Sequence, residues 1–335
     1  MKWLVTGAAG FIGTNLCKYL TEQGATVVAI DDFSRDGVLS NAAFLNSIGV
    51  QVDKVDVSDK VALEAYLSDS RFDSIAHLAG QVSLLQSITD PRRDFEINVL
   101  GTLNVLEYVR LKSPDASLIG MSSNKIYGDL QSVEILEQDV RYSAPNFPNG
   151  FDESLPLSFH GPYGCSKGAA DQYLADYSRI FGLKSASLRQ SSVYGPFQHP
   201  RADQGWVAFL TAAIVRGEHI HLNGVGKQVR DLLHASDLAR LIVRLSEVLK
   251  PGGDNQFNVG GGPDNAISIL ELFSLIEENY GFRALFSTGP LRPSDQMIFI
   301  SNNTKVHQLT GWTPTVSYKQ GISSLVKLEM DSLKS

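Results

Sequence analysis

Two cysteines in 335 residues, Cys17 and Cys165, are too few for a disulfide framework and form no CxxC pair, so neither a stapled secreted scaffold nor a zinc ribbon is encoded. Long hydrophobic runs are missing as well: glycine or charge breaks every apolar stretch well short of the ~20 residues that span a bilayer. Positive charge is in deficit, with 29 Lys and Arg against 36 Asp and Glu for a net −7. That balance excludes a general nucleic-acid or anionic-membrane binder and leaves room only for a local basic pocket. The opening MKWLVTGAAG passes from one lysine straight into a strand-like run and a glycine turn, without the basic and apolar regions of an export leader, so the expected location is the cytoplasm. Internal repeats and low-complexity tracts are also lacking. What is present, 43% apolar and 19% charged residues with 29 glycines, is the profile of a folded globular protein able to bury roughly 75% of its unfolded surface.

Short β-branched runs alternate with helix-period segments through the first half. Strands are predicted at Trp3 to Thr6, Thr26 to Ile30, Val50 to Val57, Ser74 to Leu78, Ser117 to Met121 and Ser185 to Gln190. Amphipathic connections of about 12 to 18 residues imply right-handed crossovers and a parallel sheet covered on both faces, hence an α/β doubly wound fold. After Tyr194 the alternation degrades into GPFQHPR, a helix near Gly205 to Arg216 and a turn-flanked strand in HIHLNGVGKQ. A helix at Ala235 to Lys250 and a strand at Asn255 to Val259 then return to the sheet. The expected division is a nucleotide-binding domain of residues 1–190 plus about 232–259, and a smaller C-terminal α+β substrate-binding lobe of about 191–231 plus 260–335. Residues 129–158, rich in Pro and Gly, exceed an ordinary connection and are expected to form a long loop over the active site.

Chemistry concentrates in two places. In VTGAAGFIG, Gly7, Gly10 and Gly13 fall at a strand-to-helix turn, and Asp31 follows at the end of the second strand. Glycine lets the backbone turn tightly and approach a pyrophosphate, the helix N-terminus offers unpaired N–H groups, and the acid suits an adenosine ribose. The triplet is spaced GxxGxxG and predicts a dinucleotide site of Rossmann type. Asp31 favours NAD over NADP because its carboxylate repels a 2′-phosphate, with Arg35 the nearby charge able to offset it. The second place is Tyr163-Gly-Cys-Ser-Lys167, behind Ser122-Ser123 at a strand end. Tyr163 and Lys167 share a helix face. A phenol of ordinary pKa near 10 is a poor base at pH 7, and a three-unit drop requires roughly 4 kcal/mol of differential stabilisation. A neighbouring ammonium and an oxidised nicotinamide are expected to supply it. Tyr163 then removes an alcohol proton as hydride leaves, with Ser123 holding the same oxygen.

With the fingerprint, HLAGQ, DFEINVLGTLNVLE, SSNKIYG and YGCSK, the chain resembles the extended short-chain dehydrogenases, the sugar-nucleotide epimerases and dehydratases, over essentially its whole length. The strings AGQVSLLQSITDP, PNGFDES, FHGPYGCSKGAADQYLADYSRIFGL, GKQVRDLLH and RPSDQ are similar, more narrowly, to those of CDP-tyvelose epimerases. The resemblance implies that Gly7, Gly10, Phe11, Ile12, Gly13, Asp31, Asp56, Val57, Leu78, Ala79, Gly80 and Asn98 line a tightly bound NAD. Asp32, Ser34, Arg35, Gln81, Ser192, Tyr163 and Lys167 are expected beside them. It implies catalysis by Ser123, Tyr163 and Lys167 with Asn124. The expected contacts to a CDP-sugar are Ser83, Asn124, Gln204, Val207, Asn223, Lys227, Gln228, Arg230, Arg292 and Asp295. Arg230 and Arg292 match the positions that hold the diphosphate, where a guanidinium fork fits phosphate oxygens. Asp32 replaces a frequent Asn and Ser123 a frequent Thr, and both replacements keep the hydrogen bonding.

Dehydratases of this superfamily carry Asp-Glu after the Ser or Thr, whereas this chain has Asn124-Lys125, and an amide is no general acid. A dehydratase is therefore not expected, and the resemblance to CDP-tyvelose epimerases implies NAD-dependent C2 epimerisation of a CDP-linked sugar (CDP-paratose to CDP-tyvelose) through a transient 2-keto intermediate and return of the same hydride. Alternatives are a 4-epimerase or 2-epimerase of another nucleotide-hexose and, in a different class, a non-catalytic NAD-binding sensor. His160 is read as structural. His219 and His221 share a strand face without a third ligand, so no metal is expected. The helices Pro91 to Leu111 and Tyr163 to Phe181 match those through which the superfamily pairs, implying a homodimer or homotetramer.

Overall fold

The computed structural model describes residues 1–199, 205–291 and 295–334. Strands Lys2–Thr6 (β1), Thr26–Asp31 (β2), Val52–Lys54 (β3), Ser74–His77 (β4) and Ser117–Ser123 (β5) alternate with helices Phe11–Glu22 (α1), Val38–Ser47 (α2), Lys60–Leu67 (α3), Leu84–Thr89 (α4), Pro91–Phe95 (α5) and Gly101–Lys112 (α6). A small hairpin, Leu136–Glu137 (β6) with Tyr142–Ser143 (β7), precedes the long helix Gly161–Phe181 (α7). Next come Lys184–Gln190 (β8), Ser192–Tyr194 (β9), Trp206–Val215 (α8), His219–Asn223 (β10), Val229–His234 (β11), Ala235–Val248 (α9) and Gln256–Val259 (β12). The tail carries Ala266–Ser268 (β13), Ile269–Tyr280 (α10), Leu285–Gly289 (β14), Ile298–Phe299 (β15), Thr304–Thr310 (α11) and Tyr318–Ser332 (α12).

Seven strands form one parallel sheet in the order β12-β8-β5-β4-β1-β2-β3, the doubly wound arrangement that the alternating pattern predicts. Period-2 alternation feeds two cores. From β1, Trp3 and Val5 pack under α1 and α9 with Leu16, Leu20, Leu241 and Leu245, while Leu4 faces α3, α6 and α7 with Leu67, Leu106 and Leu174. The chain reverses direction across the sheet between β1 and β4, which opens a crevice at their C-terminal ends. A separate apolar cluster joins α8, β10, α10 and α12 through Leu210, Ile220, Leu272 and Ile322. Two stretches outside the regular alternation pack on the sheet domain. Pro196 and Phe197 accept hydrogen bonds from Asn15 and Asn41, and Trp312 is buried in the cluster that contains Val5.

Residues 129–158 are pinned rather than free. Leu130, Tyr142, Phe151 and Leu155 are buried with Tyr127 and Phe299. The Tyr142 amide donates to Lys227 O at 2.9 Å, and that of Phe151 to Ile300 O at 2.7 Å.

Two elements differ from their expected form. The strand expected over Val50 to Val57 is ladder-paired only at Val52–Lys54, because Asp56 turns its carboxylate back onto the Ser58 amide and hydroxyl and ends the extension. The single helix expected from Pro91 to Leu111 is interrupted by a π-helical turn, Glu96–Leu100. Asn98 sits in it, its side-chain amide donating to Gln81 O, Asp94 Oδ1 and Ser166 Oγ and its backbone carbonyl accepting from the Thr102 hydroxyl at 2.6 Å. Such bulges re-aim a side chain at a functional site.

Candidate active site

The crevice divides into two adjoining cavities. Gly7, Gly10, Asp31, Asp32, Ser34, Arg35, Asp56, Val57, Leu78, Ala79, Gly80, Gln81 and Ser83 line the first; Phe11, Ile12, Gly13, Ser123, Asn124, Tyr163, Ser192 and Val207 join Gly7 and Gly10 around the second. No residue of 129–158 lines either.

The glycine turn is sterically fixed. Gly7 has φ +66°, and a Cβ there meets Ala79 N at 2.6 Å; one at Gly13 meets Gly7 O at 2.2 Å. Side chains are thus excluded where β1 passes into α1, and no side chain caps that helix at Gly10. Its first amides, at Phe11 to Gly13, are left for an anion in the cavity they line. Asp31 is 7% exposed and takes one amide on each oxygen, Ala9 at 3.1 Å and Phe33 at 2.9 Å, which fixes its carboxylate at the cavity wall. Burial raises its pKa above the usual carboxylate value despite those bonds. An anion cradle, a fixed acid one strand away and an apolar wall of Val57, Leu78 and Ala79 together fit an NAD dinucleotide.

On the catalytic side, Gly182 in the left-handed region ends α7 and Pro162 starts it, so Tyr163 and Lys167 occupy its first turns. Both are buried. Lys167 Nζ donates to Met121 O at 3.3 Å and lies, with Asn98 Oδ1, against Gly80, where a Cβ meets them at 2.8 and 3.1 Å. Lys167 and Asn98 thus sit beneath the cavity lining. Burial lowers the Lys167 pKa to about 8, with Asp94 acting the other way. The acidic phenol expected at Tyr163 is not what the protein's own groups produce. Burial pushes it up to about 12; Ser123 and Arg35 pull down and Asp94 pushes up. Desolvation outweighs the local hydrogen bond, and Lys167 Nζ is turned to the Met121 carbonyl.

Asn124 lies behind Ser123. Its Oδ1 accepts from Ser123 Oγ at 3.3 Å, and its Nδ2 donates to Gln296 Oε1 at 2.9 Å. Gln296, fully buried, returns its own Nε2 to Asn124 O at 3.0 Å and Gly128 O at 2.7 Å. Two carbonyls force the orientation of Gln296, which forces that of Asn124, which leaves a carbonyl oxygen facing Ser123.

Several expected substrate contacts are engaged elsewhere. Lys227 pairs with Glu137 at 2.7 Å, and the Gln228 amide donates to Asn223 O at 2.6 Å. Arg230 is buried, bonded to Val229 O, Gln296 O and Asp295, and Asp295 also holds Lys125 at 3.0 Å. Asn223, Lys227, Gln228, Arg230 and Asp295 line neither cavity. Gln204 and Arg292 lie outside the described residues. His160 lines neither cavity and stands at the start of α7 near Ser158 and Asp129. Among the described residues no group of His, Cys, Asp and Glu could hold a metal ion, and no helix is long and apolar enough to cross a membrane.

Two contributors escaped the sequence reading. Arg93 lines the first cavity and pairs with Asp56 at 2.7 Å. Burial would raise the Asp56 pKa, but the Ser58 and Arg93 hydrogen bonds prevail and hold it below the usual value. Its only signal was a charge cluster after Pro91. Gln296 closes RPSDQ, a string notable for resemblance without any role attached to its last residue.

A dinucleotide cradle on a doubly wound sheet beside a Ser-Tyr-Lys cluster defines an NAD-dependent enzyme. The chain belongs to the NAD dependent epimerase/dehydratase family, whose model matches residues 3–260. It is 42% identical over 332 residues to the CDP-paratose 2-epimerase of Salmonella typhi, covering 97% of this chain and 98% of that one. It superposes with TM-score 0.84 on the UDP-glucose 4-epimerase of Thermotoga maritima with UDP-glucose, at 31% identity and covering 99% and 100% of the two chains. The Thermus thermophilus UDP-glucose 4-epimerase, solved with NAD, gives 0.81 at 29% identity over 98% and 99%. The cofactor is NAD and the enzyme is an epimerase, an isomerase by class.

Proposed function

We propose that this epimerase inverts C2 of a CDP-linked 3,6-dideoxyhexose, converting CDP-paratose to CDP-tyvelose through a transient 2-keto sugar. The end-to-end similarity to a CDP-paratose 2-epimerase carries the reading, and Asn124-Lys125 in place of an acid pair supports epimerisation over dehydration. The residues assigned to NAD are those of the glycine turn, Asp31 and the Val57 to Gly80 wall. When bound, NAD supplies a reversible acceptor that takes the C2 hydride and returns it to the opposite face, together with a positive charge in the cavity. Tyr163 removes the C2 hydroxyl proton and gives it back after inversion, so no net redox change occurs. Ser123, held beside Asn124 Oδ1 at rest, turns its hydroxyl proton to the sugar oxygen when substrate is bound, which leaves that oxygen's own proton pointing at Tyr163. Lys167 supplies the positive charge beneath. Exposed Phe95, Ile180 and Phe181 on α5 and α7 support pairing of two copies through these helices, and light scattering tests it.

The test is proton NMR of the purified protein with C2-deuterated CDP-paratose and no added NAD. CDP-tyvelose that keeps its deuterium in ordinary water meets the proposal; loss of the label to solvent sinks the mechanism. Absence of turnover, with activity on a UDP-hexose, selects the 4-epimerase reading that the UDP-glucose 4-epimerase likeness favours. Tyr163→Phe separates an enzyme from a sensor: turnover is lost while bound NAD is retained.

A further inference from the structure

Asp94, on α5, is a buried acid of the crevice with no part in the mechanism above. It is 1% exposed yet contributes to the wall of the first cavity. Its Oδ1 accepts from Asn98 Nδ2 at 3.2 Å, while its Oδ2 is buried with no hydrogen-bond partner. A buried carboxylate oxygen left unpaired is costly and needs a compensating interaction. Asn98 Nδ2 also reaches Ser166 Oγ at 3.0 Å, the residue before Lys167. Asn98 Oδ1 and Lys167 Nζ share the space above Gly80. Asp94, Asn98 and Lys167 therefore form one buried cluster between the π-helical turn and α7, with a carboxylate at one end and an ammonium at the other.

We propose that Asp94 is a positioning residue for the reaction, the buried carboxylate that partners the Lys167 ammonium across Asn98. Desolvation brings the Lys167 pKa down to about 8, and the field of Asp94 is what opposes it. Asp94 in turn is raised by burial and held down by Ser166, Lys167 and Asn98. The other titratable groups facing the cluster do not replace it. His77 on β4 is driven to about 3 by burial and by Lys167, so it is neutral at pH 7. Tyr163 is neutral at pH 7 in the field of the protein's own groups, and Arg35 adds a permanent positive charge that acts on it. Neutralising Asp94 therefore removes support from Lys167 and, with opposite consequence for activity, makes Tyr163 more acidic. Both titrations move to lower pH.

The inference rests on the proposed catalytic role of Lys167 only for its kinetic arm, so the decisive measurement is taken without turnover. The full chain is labelled with 13Cε-lysine, the Lys167 resonance is assigned by its loss in Lys167→Arg, and its titration midpoint is read in wild type and Asp94→Asn. The isosteric amide is expected to lower the midpoint by about one unit or more, a tenfold weaker hold on the proton. Asp94→Ser gives a second neutral variant with the same expected fall, and Asp94→Glu restores the midpoint toward wild type. In the kinetic arm, the alkaline limb of the kcat profile shifts down with the neutral variants, whereas a merely structural loss lowers kcat without moving the limb. An unmoved midpoint in folded Asp94→Asn or Asp94→Ser overturns the proposal, as does a fall in Asp94→Glu as large as in the neutral variants. A midpoint that moves while the kinetic limb stays fixed upholds the charge pairing and counts against the role given to Lys167.

Discussion

Replacing Gln296 by Met keeps length and volume but removes three hydrogen bonds: to Asn124 Nδ2, Asn124 O and Gly128 O. The site is fully buried, so water cannot take over. Each net hydrogen bond is worth about 1 kcal/mol, and a stranded buried partner costs about 1–3 kcal/mol. A loss of about 3–5 kcal/mol in stability by urea unfolding is expected. The functional consequence is separable. With Gln296 gone, Asn124 is free to turn its amide, and Ser123 loses the fixed carbonyl that positions its hydroxyl, so kcat falls by about 10- to 100-fold while KM and bound NAD change little. The assay is a double-mutant cycle with Ser123→Ala. If Gln296 acts through Ser123, Gln296→Met causes no further fall in kcat once the hydroxyl is absent. Additive losses in kcat refute the reasoning and reduce Gln296 to a packing element.

Gly13→Ala places a methyl group 2.2 Å from Gly7 O, so the turn must shift; purified protein should lose its bound NAD, measured by absorbance after denaturation. Lys167→Met removes a buried ammonium whose pKa falls from 10.5 unfolded to about 8 folded. That depression destabilises the fold by about 3 kcal/mol below pH 8, and the penalty fades as pH rises through 10.5. The inactive Met variant should therefore unfold at higher urea concentration at pH 7. His77, between Thr6 at 2.8 Å and Thr102 at 3.1 Å, is neutral in the fold. With its pKa lowered from 6.5 to about 3, its contribution is full above pH 6.5 and is lost as pH falls toward 3, up to about 5 kcal/mol. His77→Gln should flatten the pH dependence of urea stability over that window; an unchanged slope assigns acid lability to other groups.

The parts of the site legible in the sequence are those fixed by short-range geometry. The glycine spacing sets a turn that only small residues allow, Asp31 ends the next strand, and Tyr163 and Lys167 share a helix face through a spacing of four. The alternation of strand and helix likewise sufficed for the doubly wound sheet, since its central strands are buried on both faces by flanking helices. The break in the Pro91 to Leu111 helix was not legible: the partners that Asn98 meets from the π-helical turn, Gln81 and Ser166, come from other elements.

The chain alone therefore determined the cofactor class and the sheet, and it placed Tyr163 and Lys167 on one helix face, all through local spacing. Tertiary structure decided which charges remain available and which are taken. Lys227 and Arg230 look like phosphate ligands in the sequence and are held by Glu137 and Asp295 in the fold. Gln296 meets Asn124 across 172 positions. The acidity of Tyr163 and Lys167 belongs to the same category: a pKa depends on burial and on charges brought near from other elements, and neither quantity is written in the order of neighbouring residues.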